Sequence, residues 1–171
     1  MEPKQHEFWI GVDEACEQSD TPSHVALLQG DLGILFPQSF VQIHEKGSKH
    51  LHGIVSDDGT VENFDFHALI ERRSDSCRKD IRSARCRMLN QLEESRTWFE
   101  KVVPVAQNGA GTQYCFDYNK GGDPFITKFD WDYHVLARSF DELLLRSAGV
   151  VVVPISNDEV LHLLNGLPPK W

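Results

Sequence analysis

Four aspartates, Asp117, Asp123, Asp130 and Asp132, and two histidines, His50 and His52, are the side chains of this 171-residue chain whose types and spacing could do chemistry. Neighbouring carboxylates can act as general acid and general base when a nucleophile or a water is held between them. These four lie on or beside a predicted β-hairpin with no His or Lys nucleophile next to them, so turn formation and a solvated face account for them better than catalysis. His50 and His52, two apart, share one face of a predicted strand and could give two metal ligands. His44 and His67 are near only in sequence, so neither metal nor cofactor is expected. P-loop, dinucleotide, Gly-x-Ser-x-Gly and His-Glu-x-x-His patterns are absent from the sequence. The expectation is a protein that binds and does not catalyse.

What it binds is constrained by charge. The net charge is −9, distributed as −9 over residues 1–65, +3 over 66–101 and −3 over 102–171. An acidic surface repels nucleic acid and draws basic proteins by long-range steering. The one basic cluster, Arg72, Arg73, Arg78, Lys79, Arg82, Arg85 and Arg87, could be a phosphate-binding stripe, since Arg78, Arg82 and Arg85 share a helical face. A solvated helix side, with Asp75 and Asp80 as intrahelical partners, is the favoured reading, because nucleic-acid binders are ordinarily basic overall. The longest apolar run, 149–154, is far short of the ~20 residues a membrane span needs. The first seven residues carry neither a basic nor an apolar leader region, so the expected location is the cytoplasm. Cys16, Cys77, Cys86 and Cys115 are irregularly spaced, which fits reduced thiols.

The elements that must position these residues can be read from periodicity. Residues 113–118 alternate, with Tyr114, Phe116 and Tyr118 on one face and Cys115 and Asp117 on the other, the pattern of a half-buried strand. Phe125, Thr127, Phe129 and Trp131 alternate after the turn 120–124, whose glycines permit a reversal. Residues 139–142 read as a capping box, with the Ser139 hydroxyl taking the Glu142 N–H and the Glu142 carboxylate reaching back, before a helix that directs Leu143, Leu144 and Leu145 at the sheet. Upstream, 8–12 reads as a short strand and 13–20 as an acidic connector. Thr21-Pro22 opens a helix through Val25, Leu28 and Leu32 that Gly33 ends, and Pro37 opens another with Phe40 and Ile43 inward and Gly47 as its stop. A second hairpin spans 51–66 around Ser56-Asp57-Asp58-Gly59. An amphipathic helix of about six turns covers 78–99, and 102–106 returns to strand. Residues 150–155 read as a further strand, and 156–159 as a second capping box.

The runs Tyr114-Cys115-Phe116-Asp117-Tyr118, Gly121-Gly122-Asp123-Pro124 and Leu136-Ala137-Arg138-Ser139-Phe140-Asp141-Glu142-Leu143-Leu144 resemble the C-terminal half of a SUKH-superfamily domain. The run from Leu28-Gln29-Gly30 to Phe36-Pro37 is similar to the family's leucine-glycine, then leucine-proline, approach to its second helix. The resemblance covers about residues 22–148 of a single domain spanning 1–171, leaving 149–171 as a C-terminal extension. Read with the periodicity, it implies an α+β fold: a mostly antiparallel sheet of about five or six strands with N- and C-terminal helices packed on it. The family contains bacterial immunity proteins and relatives of a fungal cell-wall regulator. The function implied is stoichiometric neutralisation of a cognate bacterial toxin, and the charge balance favours a basic nuclease as that toxin. Two alternatives stay open: a scaffold or regulatory interaction module of the same fold, and a small enzyme whose site matches no known motif, which a deep pocket around a perturbed carboxylate or histidine would support. Candidate partner-binding residues are Asp117, Asp123, Asp130, Trp131, Asp132 and Tyr133, the aromatics as hot spots and the acids for steering. Phe129 is expected in the core and Asp130, Asp132 and Tyr133 at the surface, while the pattern leaves Trp131 open.

Overall fold

Phe64, Phe66, Tyr114 and Phe116 are all but closed to water, and the sheet that carries them organises the molecule. The computed structural model describes residues 21–69, 80–92 and 95–168. Six strands lie side by side in chain order, each antiparallel to the next: β1 (His50–Val55), β2 (Val61–Phe66), β3 (Val102–Gln107), β4 (Gln113–Asp117), β5 (Phe125–Phe129) and β6 (Tyr133–Ala137). Sequence neighbours become sheet neighbours because all connections but one are short turns. In the β1–β2 turn Gly59 sits at φ 83°, where a side chain would strain the backbone. The α+β architecture and the strand number agree with the sequence reading.

Helices cover both faces of this sheet. On one lie α1 (Thr21–Leu32), α2 (Gln38–Glu45) and α5 (Phe140–Ser147). Their apolar stripes bring Val25, Leu28, Phe40 and Leu143 onto Ile54, Phe64, Phe66, Phe116 and Ile126. Gly33, at φ 67°, ends α1 with both its own N–H and that of Ile34 donating to the Gln29 carbonyl. Pro37 then starts α2 at φ −54°, the angle its ring imposes.

The other face is closed by α3 (Ile81–Gln91) and α4 (Arg96–Phe99). A second cluster forms there from Met88, Leu89, Leu92, Trp98, Phe99, Val102, Cys115 and Tyr133. β4 is therefore not half-buried as its alternation suggests, because Tyr114 and Phe116 enter one cluster and Cys115 the other. The single helix expected over 78–99 is also divided. Unbroken, it would run about 33 Å, against about 20 Å for a six-residue strand. The stop at Leu92 lets Trp98 and Phe99 fold back onto the sheet.

Three further expectations change. Residues 150–155 form no strand, and the chain continues instead into α6 (Asn157–Leu163), capped by Ser156 accepting the Glu159 N–H at 3.2 Å. Leu143 is buried but Leu145 faces water, since three consecutive helical residues cannot share a face. Ser139 does accept the Glu142 N–H, at 3.1 Å, but the Glu142 carboxylate binds Arg138 and Arg146 instead of closing the box. The strand and connector expected within 8–20 lie outside the described residues.

Candidate interaction surface

The turn between β5 and β6 is three residues long, Asp130, Trp131 and Asp132. Asp130 Oδ1 accepts the N–H of Trp131 at 2.6 Å and that of Asp132 at 3.1 Å, and the Asp130 N–H donates to the Asp132 carbonyl at 3.2 Å. The carboxylate thus satisfies the turn's backbone from within, an Asx-type closure. With those groups tied down, the indole of Trp131 stands 94% exposed between two exposed carboxylates. Its base is stiff. Phe129 and Tyr133 flank the turn with ring centroids 6.1 Å apart, and both meet Phe99, at 5.6 and 5.2 Å.

Tyr133 and Asp117, both among the candidate partner-binding residues, are buried and bind each other. The Tyr133 hydroxyl donates to Asp117 Oδ2 at 2.7 Å and accepts from Thr127 Oγ1 at 3.0 Å. Asp117 Oδ1 takes the N–H and side-chain amide of Asn119 at 2.8 and 2.9 Å. Burial pushes the Asp117 carboxyl above the ordinary carboxylate range, while the bonds from Asn119 and Tyr133 pull it back. Burial, then the Asp117 charge, drives the Tyr133 phenol well above its usual value and also raises the Cys115 thiol. Cys115 accordingly packs as a small hydrophobe. The expected accessibility of Tyr133 is corrected here: β4 and the start of β6 are covered by α3 and α4, and the phenol turns inward to meet a carboxylate that would otherwise be short of donors.

Of the six candidates, Asp130, Trp131 and Asp132 come together at one tip. Asp123 is exposed in the β4–β5 turn, at the other end of β5, about 17 Å away along a five-residue strand. Beside the tip, a cleft of about 230 Å³ opens under α3, with Arg87, Met88 and Gln91 facing Gly111, Phe129 and Asp130.

A second polar cluster on the other face was not anticipated. Glu62 is buried, with its Oε2 accepting the Tyr114 hydroxyl at 2.5 Å and its Oε1 the Lys128 ammonium at 2.7 Å. Burial first, and then the Glu62 hydrogen bond, raises the Tyr114 phenol; the same carboxylate raises Lys128. Both oxygens of Glu62 are committed, and the cluster borders a cleft of about 240 Å³ reaching Asp57, Asp58 and His134. The alternation that puts Glu62 on the face of Phe64 was readable, but its partners lie 52 and 66 residues away.

The histidine pair is stacked at 5.6 Å, with His50 Nδ1 2.7 Å from Asp65 and His52 Nδ1 3.3 Å from Asn63. Among the described residues no three His, Cys, Asp or Glu side chains are placed to hold a metal ion. In the basic cluster, Arg82 pairs with Asp31 of α1 and Arg85 donates to the Glu100 carbonyl at 2.6 Å. Asp80 is the α3 cap, accepting the Ser83 N–H at 3.0 Å, and not the ion partner expected. Arg72, Arg73, Asp75, Arg78 and Lys79 lie outside the described residues. No helix among the described residues is long and apolar enough to cross a membrane.

Compared with curated proteins, the chain has no match. A family model does match, that of the SMI1 / KNR4 family (SUKH-1), over residues 21–146. The span runs from the first residue of α1 to the last turn of α5, so it holds all six strands, both buried clusters and the Asp130–Trp131–Asp132 turn. It covers well over half the sequence, in agreement with the resemblance carried by Tyr114–Tyr118 and Leu136–Leu144, and the chain belongs to the SMI1 / KNR4 family (SUKH-1).

Proposed function

We propose that this chain is an immunity protein, which binds a basic cognate toxin, a nuclease, one to one and neutralises it by occupation alone, with no catalysis of its own. The observation that carries the reading is Trp131, an indole 94% exposed on a turn whose backbone is hydrogen-bonded within itself. Large aromatics dominate interface energetics, and one held on a stiff turn loses little freedom when a pocket takes it. Asp130 and Asp132 flank it for Lys or Arg on the partner, and the net charge of −9 speeds the encounter with a basic protein. The same charge disfavours direct binding of nucleic acid. Membership of a family that includes immunity proteins supports a role in protein–protein interaction.

The test is a titration of the purified chain into the nuclease toxin encoded immediately before it in the source genome. Activity should fall linearly to zero at one equivalent, and the association rate should drop about tenfold or more as salt rises from dilute to molar. Undiminished nuclease activity at excess chain would refute the reading. Several substoichiometric partners in a pull-down, with no toxin among them, would favour the scaffold alternative.

A further inference from the structure

A main-chain nitrogen can attack the side-chain carbonyl of the residue before it and close a five-membered succinimide ring. Glycine supplies that nitrogen best, because it has no side chain to obstruct the approach. Three pairs in the sequence meet the requirement, Asp58-Gly59, Asn108-Gly109 and Asn165-Gly166. The fold treats them differently.

Two are closed. In the β1–β2 turn, Asp58 Oδ1 accepts the Thr60 N–H and the Ser56 hydroxyl, both at 2.9 Å, and these bonds pull its carboxyl down to about 2. An ionised carboxylate is a poor electrophile, and the Gly59 N–H is already given to the Ser56 carbonyl at 2.9 Å. In the β3–β4 turn, Asn108 Oδ1 accepts the N–H groups of Ala110 and Thr112, both at 3.0 Å, and Nδ2 donates to the Tyr114 hydroxyl at 3.4 Å. Attack needs the side-chain carbon brought onto the Gly109 nitrogen, and these bonds resist the movement.

Asn165-Gly166, in the turn after α6, is open. Asn165 is exposed, and neither its side-chain amide nor the Gly166 N–H makes a hydrogen bond among the described residues. Packing demands the glycine: its φ is 101°, and a Cβ there would stand 3.3 Å from the Trp98 ring. The turn is held by the Leu167 N–H donating to the Leu164 carbonyl at 2.9 Å and the Lys120 ammonium donating to the Asn165 carbonyl at 3.1 Å. Leu164 and Leu167 pack on the cluster that contains Trp98. Because α6 buries no residue, little free energy opposes local opening here.

We infer that Asn165-Gly166 is a covalent modification site, which converts through a succinimide to aspartate and isoaspartate and so loosens 164–168 from Trp98. The Gly166 nitrogen gives up its proton and bonds to Asn165 Cγ, the Cγ–Nδ2 bond breaks, and the side-chain nitrogen leaves as ammonia with that proton. Water then adds at either ring carbonyl. At Cγ it restores the ordinary peptide bond beside a new carboxylate; at the main-chain carbon it leaves the chain running through Cγ, one atom longer. The longer chain displaces Leu167 relative to Leu164 and breaks the bond between them. The inference goes beyond the toxin reading and does not rest on it.

The whole chain is held at pH 7 and at pH 9, digested, and read by mass spectrometry with fragmentation. Asn165 should gain about one mass unit, faster at pH 9 because the attacking nitrogen must lose its proton. Asn108 should convert about tenfold more slowly, or slower still. In urea the two Asn-Gly pairs should convert alike, since the fold alone separates them. As conversion proceeds, hydrogen exchange at the Leu167 N–H should quicken about tenfold. Asn165→Gln, whose ring would be six-membered, should show neither change, and because Asn165 is exposed the variant retains the core. Conversion of folded Asn108 as fast as Asn165, or the same preference in urea, would overturn the assignment. Unaltered exchange at Leu167 in the converted chain, or equal quickening in Asn165→Gln, would overturn the loosening.

Discussion

The two faces of the sheet are closed by different means. Under α1, α2 and α5 the packing is aromatic, and Phe40 alone meets the rings of Phe36, His44, Phe66, Phe116 and Phe140 at 4.5 to 5.9 Å. The buried carboxylate of that face, Glu62, lies at its rim and has an ammonium ion beside it. Under α3 and α4 the cluster is smaller and Asp117 is inside it, satisfied by neutral donors. The first face supplies stability, and the second gives some of it up to fix where the β5–β6 turn leaves the sheet, since Tyr133 anchors both Asp117 and the turn. Variants on each side can break that contrast.

Phe40→Ala should have the largest effect. It empties the centre of five ring contacts, and truncation of a buried Phe typically costs about 3–5 kcal/mol. Urea unfolding should show that loss with the slope unchanged; a cost below about 1 kcal/mol would mean that this face is not the principal core.

Tyr133→Phe should cost less, about 1–3 kcal/mol, because the volume stays and one donor to a buried carboxylate is lost. Its pH dependence is the sharper readout. The folded Asp117 carboxyl titrates above its ordinary value of 3.8 because it is buried. A group with a raised folded pKa contributes stability in full below the unfolded pKa and loses it as pH rises through the folded one. The Tyr133 hydroxyl favours the ionised form, so the penalty of Tyr133→Phe should be greater at pH 7 than at pH 4. Equal penalties would show that Asp117 keeps one protonation state across this range.

Ser139→Ala, which removes the α5 cap on the first face, should cost about 1 kcal/mol. That cap was legible because donor and acceptor are three residues apart. So were the β1–β2 turn at Gly59 and the entry to α2 at Pro37, where steric rules act on one or two residues. Whether a strand has one covered face or two is not a local property, and β4 was read as half-buried because Cys115 and Asp117 look like an outer face until α3 is placed over them. Asp117 and Tyr133, 16 residues apart, looked like an acid and an aromatic for a partner when each is the other's partner. The 150–155 pattern reads as a strand and none forms, because a pattern cannot say whether a neighbour exists for it to pair with. Only the three-residue turn, a local structure, emerged from the candidate site as an intact surface group.

Trp131→Ala should have the smallest effect on stability and, under the proposed function, a large one on binding. The side chain is almost wholly in water, so its removal should change unfolding free energy by no more than about 0.5 kcal/mol. The Asp130 carboxylate still closes the turn through backbone N–H groups that alanine retains. A hot-spot tryptophan at an interface is worth about 2 kcal/mol or more, so affinity for the toxin should fall about thirtyfold while the association rate, set by charge, barely moves. Asp130→Asn should do the reverse, slowing association and shifting its salt dependence more than it affects dissociation. If Trp131→Ala lowered stability and affinity together, the indole would be part of the second face's packing, and the division between a face that folds and a face that positions would fail.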